Sequence, residues 1–242
     1  MNKLEHLDEF IAVLSHYQMS SRNQELLSNI KLTLLSGPSA VGRNTIIDRL
    51  LLKKNYHYIV SDTTREPRIN DGIIEENGKN YWFRSEVDFL KDLREGSFLE
   101  AEVIHDQQVS GISIRELMSA VNYHKTSITE IEIGGFLRVL SIKPDTVAVI
   151  VLPPSFDEWI YRLNSRSKMD VSETQRRLKT AVKIFSEAAS NEQLHLVVND
   201  HLERAVQEID MLSRHESLPP NPLAKELAKA LHAQTLDYLG KL

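Results

Sequence analysis

Residues Gly37-Pro38-Ser39-Ala40-Val41-Gly42-Arg43-Asn44-Thr45 place two glycines five positions apart, directly ahead of a cation. A phosphate-cradling loop has this spacing in the form G-x-x-x-x-G-K-[ST]. Here Arg43 stands where that pattern has Lys, and Asn44 where it has Ser or Thr. Arginine keeps the charge but offers a wide planar fork instead of a compact ammonium. An amide oxygen can ligate Mg²⁺, with poorer geometry than a hydroxyl. Thr45 follows one position later and points about 100° away around a helix. The loop marks where a nucleotide phosphate would sit. By itself it leaves open whether that phosphate is transferred or only held, and a tight glycine turn without a ligand is the plain alternative.

A second constellation follows at Ser61-Asp62-Thr63-Thr64-Arg65-Glu66-Pro67-Arg68. Arg65 and Arg68 flank a proline-stiffened turn, so two guanidinium forks could converge on a phosphate dianion. An exposed basic turn is the simpler reading of the same residues. Glu130 and Glu132, taken alone, read as a solvated strand end. Arg162, Arg166 and Arg177 read equally as a solvated basic helix surface or as cations that close over phosphates.

These residues need elements to position them. Lys31–Ser36 is a compact apolar run, predicted as a buried strand that feeds the glycine loop. Ile46, Ile47, Leu50 and Leu51 predict a helix face after it. Residues 61–112 are rich in turn signals such as Asn70-Asp71-Gly72 and Asn77-Gly78, with a short strand at Tyr81-Trp82-Phe83 and a helix over 86–94. Alternation then resumes: a strand over 127–133 ending at Gly134-Gly135, a helix over 136–142, a strand over 146–152, a short strand over 195–198 and a helix over 201–212. Ser155 with Glu158 and Ser172 with Gln175 read as capping boxes. Such alternation predicts an α/β fold, a parallel sheet with helices on both faces.

Helical spacing of Leu4, Leu7, Ile11 and Leu14 predicts an N-terminal amphipathic helix, and Ser20 or Ser21 a cap for a second. At the other end Asn221 and Pro222 open a helix with Leu223, Leu227 and Leu231 along one side. The domain reading is an N-terminal helical extension over 1–30, a main domain over 31–213 with an insertion over about 61–112 and a lid over about 164–176, and a linker with a C-terminal helix over 214–242.

Bulk properties are those of an ordinary globular chain. The 242 residues are 41% hydrophobic and 26% charged, with a net charge of -5 and no cysteine. No basic nucleic-acid footprint is present. Disulfides and Cys-based zinc sites are excluded. No apolar run has the length of a membrane span, and the acidic start lacks the pattern of a signal peptide. The expectation is a cytoplasmic protein that binds neither nucleic acid nor membrane.

The ordered set of segments resembles guanylate kinase: Gly37-Pro38-Ser39, Ser61–Arg68, Gly78–Phe83, Phe98-Leu99-Glu100, Glu130-Ile131-Glu132, Pro153-Pro154-Ser155, Arg162-Leu163, Arg177-Leu178 and Val198-Asn199-Asp200. The resemblance covers about residues 31–213. It implies a P-loop nucleoside-monophosphate kinase fold with an inserted GMP-binding subdomain and a lid. It implies that Glu100 reads guanine, whose adjacent N1–H and N2–H₂ donors suit a carboxylate. Ser61 is implied to donate to the guanine O6, and Arg65, Arg68 and Tyr81 to clamp the GMP phosphate. Glu132 falls at the acceptor site, and Glu130 with Asn44 at the Mg²⁺ and its water shell. Arg162, Arg166 and Arg177 match lid arginines, which act with Arg43 on the transferring phosphoryl group. Residues 37–45 with Asn199 and Asp200 match the ATP site. The expected cofactors are ATP and Mg²⁺.

The chain departs from the family at Arg43, at Asn44 and in Gln107–Ser113, where Ser110 replaces a tyrosine and Ile112 a hydroxyl residue. Glu130 and Glu132 are each one methylene longer than the family's aspartates. Related scaffold domains with Arg in the Lys position have lost kinase activity and bind protein partners. Two readings therefore stand: a kinase that phosphorylates GMP with ATP, or a silent module that binds GMP or a phosphorylated partner. A kinase for another phosphorylated small molecule is a more distant third. The terminal helices are expected to pack on the domain or to form a homodimer or partner contact.

Overall fold

The computed structural model describes residues 3–70, 72–166, 170–219 and 221–242, and leaves the side chains of Asn70 and Arg166 outside that description. Asp71 of the expected turn, 167–169 of the expected lid and Pro220 of the expected linker lie outside the described residues. In chain order the elements are α1 (Leu7–Ser15), α2 (Ser21–Leu27), β1 (Leu32–Ser36), α3 (Arg43–Leu51), β2 (Tyr56–Tyr58), β3 (Asp62–Thr63), β4 (Ile69–Asn70), β5 (Ile73–Ile74), β6 (Trp82–Phe83), α4 (Glu86–Arg94), β7 (Phe98–Ile104) and β8 (Gln108–Ser113). They continue with α5 (Ile114–Asn122), β9 (Thr126–Glu130), α6 (Ile133–Ile142), β10 (Val147–Leu152), α7 (Phe156–Arg166), α8 (Val171–Ser190), β11 (His195–Val198), α9 (Leu202–Ser213) and α10 (Pro222–Leu239).

The chain divides into two compact units. One comprises residues 1–31, 55–127 and 138–144, the other 32–54, 128–137 and 145–242. The N-terminal helices therefore share a unit with the inserted segment, and the C-terminal helix shares one with the glycine loop.

In the first unit a four-stranded sheet has the order β6-β3-β8-β7. β7 and β8 pair antiparallel, Glu100 lying opposite Ile112, with an irregularity between Phe98 and Glu100. A bulge of this kind leaves backbone groups without ladder partners. The Tyr17 hydroxyl supplies them: it donates to the Phe98 carbonyl at 2.6 Å and accepts from the Phe98 N–H at 2.8 Å. Burial pushes the Tyr17 phenol up to about 12, so it stays a donor at ordinary pH. α1 packs Leu7 and Phe10 into the same core, Phe10 edge-on to Phe89 and Phe89 stacked on Phe98 with ring centroids 4.4 Å apart. The helical face differs from the one expected. Phe10 is fully buried and Ile11 is half exposed, because the helix begins at Leu7 and its inward stripe runs through Phe10.

In the second unit the strands lie in the order β11-β10-β1-β9. β1 pairs with β10 and β10 with β11, all parallel. Every residue of β1 and β10 is buried, as in a parallel sheet covered on both faces. Three local expectations change. β9 ends at Glu130 and α6 begins at Ile133, so Gly134 and Gly135 lie in the first helical turn. α8 is capped by Asp170, which accepts from the Glu173 N–H at 2.7 Å, and Ser172 donates to Asp170 instead of capping. Along α10 the buried positions are Ala224, Ala228, Leu231 and Thr235, with Leu223 exposed; small residues let α10 approach α8 closely. Ser20, Ser155 and Asn221 cap their helices as the sequence predicts.

Candidate active site

The glycine loop joins β1 to α3 in the second unit. A Cβ on Gly37 would stand 2.6 Å from the Val151 carbonyl oxygen, and one on Gly42 would stand 2.5 Å from the Asn199 amide nitrogen. Gly42 is also left-handed, at φ 98°. Neither position admits a side chain. Two contacts hold the loop, and a third holds one of its braces. Trp159 donates its indole N–H to the Ser39 carbonyl at 2.9 Å, and Asn199 donates its amide to the Val41 carbonyl at 2.8 Å. Arg162 in turn donates to the Asn199 carbonyl at 3.2 Å. The loop thus ends at a helix N-terminus whose first N–H groups have no intrahelical acceptor, the arrangement that binds anions.

Arg43 opens α3, and its Nε lies 3.5 Å from the Glu130 Oε2 at the end of β9. Both side chains are mostly buried. That carboxylate oxygen has no hydrogen-bond partner among the described residues. Asn44 and Thr45 are exposed at the start of the helix. Among the described residues no group of three or more His, Cys, Asp or Glu could hold a metal. The orphaned Glu130 oxygen and the exposed Asn44 amide are the groups here that could hold Mg²⁺, an ion that takes most of its ligands from phosphate and water. Glu132 is exposed between β9 and α6, and its carbonyl accepts from the Phe136 N–H at 2.9 Å.

The expected ATP and lid residues divide. Arg162 lies at the loop's brace, also bonded to Glu158 at 2.8 Å. Arg177 is paired within its own helix to Glu173 at 2.6 Å. Arg166 ends α7, and its side chain lies outside the described part. Asn199, matched to the ATP site, is buried and donates its amide to the Val41 carbonyl, so it braces the loop. Asp200 is exposed and pairs with Arg204.

The first unit carries the other half of the expected residues. Arg65 is buried under the Tyr81 ring, its guanidinium carbon 4.6 Å from the centroid. Both terminal nitrogens are taken by Glu75, at 2.5 and 2.8 Å. Glu75 also accepts from the Arg68 backbone N–H at 2.8 Å. Hydrogen bonding to Arg65 holds the Glu75 carboxyl down at about 2. Arg68 is exposed and reaches the Gln108 amide oxygen at 3.5 Å. Ser110 bonds the Thr63 hydroxyl at 2.8 Å, and Ile112 is buried in the core. Ser61 is half-buried, its carbonyl accepting from the Trp82 N–H at 2.9 Å.

Glu100 is buried on β7 and Glu102 follows on the same face. Arg138 on α6 bridges them, 3.3 Å from Glu100 and 2.7 Å from Glu102. Burial pushes the Glu100 carboxyl up to about 7, against the pull of Arg138.

Sequence reasoning missed Glu75, Arg138 and a buried network behind them. Asp62 is fully buried between Arg84 and Arg115, at 2.9 and 3.0 Å. Glu116 accepts from the Trp82 indole at 2.9 Å and the Val60 N–H at 3.3 Å. These pairs span tens of residues, and no local spacing announces them.

The guanylate kinase family model matches residues 29–216, most of the chain. The chain belongs to the guanylate kinase family. It is 32% identical to a guanylate kinase of Caldanaerobacter subterraneus subsp. tengcongensis, over 79% of this chain and 87% of that one. It is 34% identical to one of Corynebacterium diphtheriae, over 74% and 92%. A crystal structure of guanylate kinase from Anaplasma phagocytophilum superposes with a TM-score of 0.56 at 24% identity, covering 78% of this chain and 87% of that one, which shows the shared fold. Residues 1–28 and 217–242 lie outside the guanylate kinase match. Tyr17 comes from that outer segment and yet completes the strand that carries Glu100.

Proposed function

We propose that this protein phosphorylates GMP to GDP with ATP, and that it does so with Arg43 in place of the usual P-loop lysine. The observation that carries the reading is the braced glycine loop, whose anion-binding amides and Arg43 are held in place by Asn199, Trp159 and Glu130. Magnesium, when bound, supplies charge neutralisation on the donor phosphates.

The chain's own residues do the rest. The amides of residues 38–44 hold the donor phosphates, and Arg43 places its charge beside them. Arg162 and Arg177 add cations on the helices around the lid, with Arg166 between them. Arg65, aligned by Glu75, and Arg68 and Tyr81 hold the acceptor phosphate, while Ser61 and Glu100 select guanine. Glu132 contributes on the acceptor side. Such chemistry is mostly positioning and charge neutralisation, and it needs no covalent intermediate.

We assign residues 61–112 to acceptor binding, the lid to about 164–176 and the reaction to the cytoplasm; among the described residues no helix is long and apolar enough to cross a membrane. The deciding experiment supplies ATP, Mg²⁺ and each nucleoside monophosphate in turn and follows ADP. Turnover with GMP is expected. GMP binding without turnover would instead identify a silent module.

A further inference from the structure

A carboxylate that reads guanine must be ionised. Guanine presents N1–H and N2–H₂, two donors, and an ionised carboxylate presents two acceptors. Once protonated, the same group presents one donor and one acceptor. That pair matches adenine, which offers N1 as acceptor and N6–H₂ as donor. The protonation state of Glu100 therefore decides which purine it suits.

Its surroundings work against ionisation. Glu100 is 8% exposed, lies opposite Ile112 on β8, and has Glu102 two residues along on the same face. Burial and a neighbouring like charge both favour the protonated form. The opposing group is Arg138, which reaches across from α6 to both carboxylates. Among the described residues it is the one cation paired with Glu100. The charged groups facing Glu100 are thus Arg138 on α6 and Glu102 on its own strand; β8 contributes no charge opposite it.

We propose that Arg138 is a specificity-determining positioning residue: by bridging Glu100 and Glu102 it favours the ionised form of Glu100 and aims it, and so biases the acceptor site towards guanine over adenine. The proposal rests on the reading of Glu100 as the base-recognition group. Arg138 acts through Glu100, and Glu102 competes for it. Substitutions at the two positions should therefore move Glu100 in opposite directions, which a merely structural role for Arg138 would not produce.

The test uses the full chain with Arg138→Met, Arg138→Lys and Glu102→Gln. The carboxyl titration of Glu100 is followed by ¹³C NMR in nucleotide-free protein, with Glu100→Gln to assign the signal. Arg138→Met should raise the midpoint by about one pH unit, Glu102→Gln should lower it, and Arg138→Lys should restore most of the wild-type value. With turnover, Arg138→Met should raise the KM for GMP roughly fivefold at pH 7, because a midpoint moved from about 7 to about 8 cuts the ionised share of Glu100 from about one half to about one tenth. The kcat should change little, and the defect should shrink as pH rises towards 9. The preference for GMP over AMP should fall. An unmoved Glu100 midpoint in Arg138→Met overturns the proposal, as does an unchanged GMP-to-AMP preference. Failure of the underlying function shows separately, as wild-type protein that does not phosphorylate GMP, while the titration still reads the hold of Arg138 on Glu100.

Discussion

The Arg43 Nε stands 3.5 Å from the Glu130 carboxylate, with both side chains mostly buried. Both residues are longer than the lysine and aspartate that their family positions resemble, and the two lengthened side chains meet. The proposed reaction uses this arginine. Arg43→Lys and Glu130→Asp should each lower kcat/KM for ATP about fivefold or more, and the double variant should lose less than the sum, with a coupling of about 1 kcal/mol. Steady-state kinetics on all four proteins measures this. A rise in activity in Arg43→Lys alone would show the arginine to be a defect instead.

Glu75 aligns Arg65 through two short bonds. Its folded pKa is depressed to about 2, so its stabilisation is present above the unfolded value and fades as pH falls towards 2. Glu75→Gln should cost about 2 kcal/mol at pH 7 and progressively less on acidification. Urea unfolding at pH 7 and pH 3 reads the difference, and KM for GMP should rise as Arg65 loses its alignment.

Gly42 and Asn199 share one space. Gly42→Ala should destabilise by about 1–2 kcal/mol from the left-handed backbone and raise the KM for ATP further, because the new methyl would meet the Asn199 amide. Truncating the amide in Gly42→Ala/Asn199→Ala removes that clash, so the double variant should be better than additive. Additive losses in thermal melts and ATP kinetics would refute the shared space.

Glu100 presents the opposite sign from Glu75. Its folded pKa is raised to about 7, so the stability linked to its protonated form is present at low pH and lost as pH rises through 7. Glu100→Gln removes that loss. It should melt close to wild type at pH 5 and be more stable by about 1–2 kcal/mol at pH 8, while GMP binding weakens. Calorimetry at the two pH values, with titration of GMP, tests both halves.

Tyr17 closes the β7 irregularity two residues before Glu100. Tyr17→Phe should cost about 1–2 kcal/mol by leaving the Phe98 backbone groups without partners, and should raise the KM for GMP more than it lowers kcat. Equal effects on both would make the hydroxyl a general stabiliser only.

The pattern of strand, glycine loop and helix was legible because each signal is local: an apolar run, two glycines five apart, a helical stripe. β11 and α4 fall on their expected residues for the same reason. The cap of α8 was misplaced because Ser172 and Asp170 both suit the role, and only the helix start chooses between them. Ile11 was misassigned because helical spacing gives a face without saying which way it turns.

The amino-acid sequence by itself determined the alternation, the glycine loop and the ordered segments that identify the family, since these depend on residue type and near spacing. Tertiary structure alone decided what the charged residues do. Glu75 took both terminal nitrogens of Arg65, Arg138 took Glu100, and among the uncharged groups the Asn199 amide took the Val41 carbonyl. A buried charge must find a partner or change its protonation and a buried amide must find an acceptor, and that partner arrives from wherever the fold places it, ten, thirty-eight or a hundred and fifty-eight residues away.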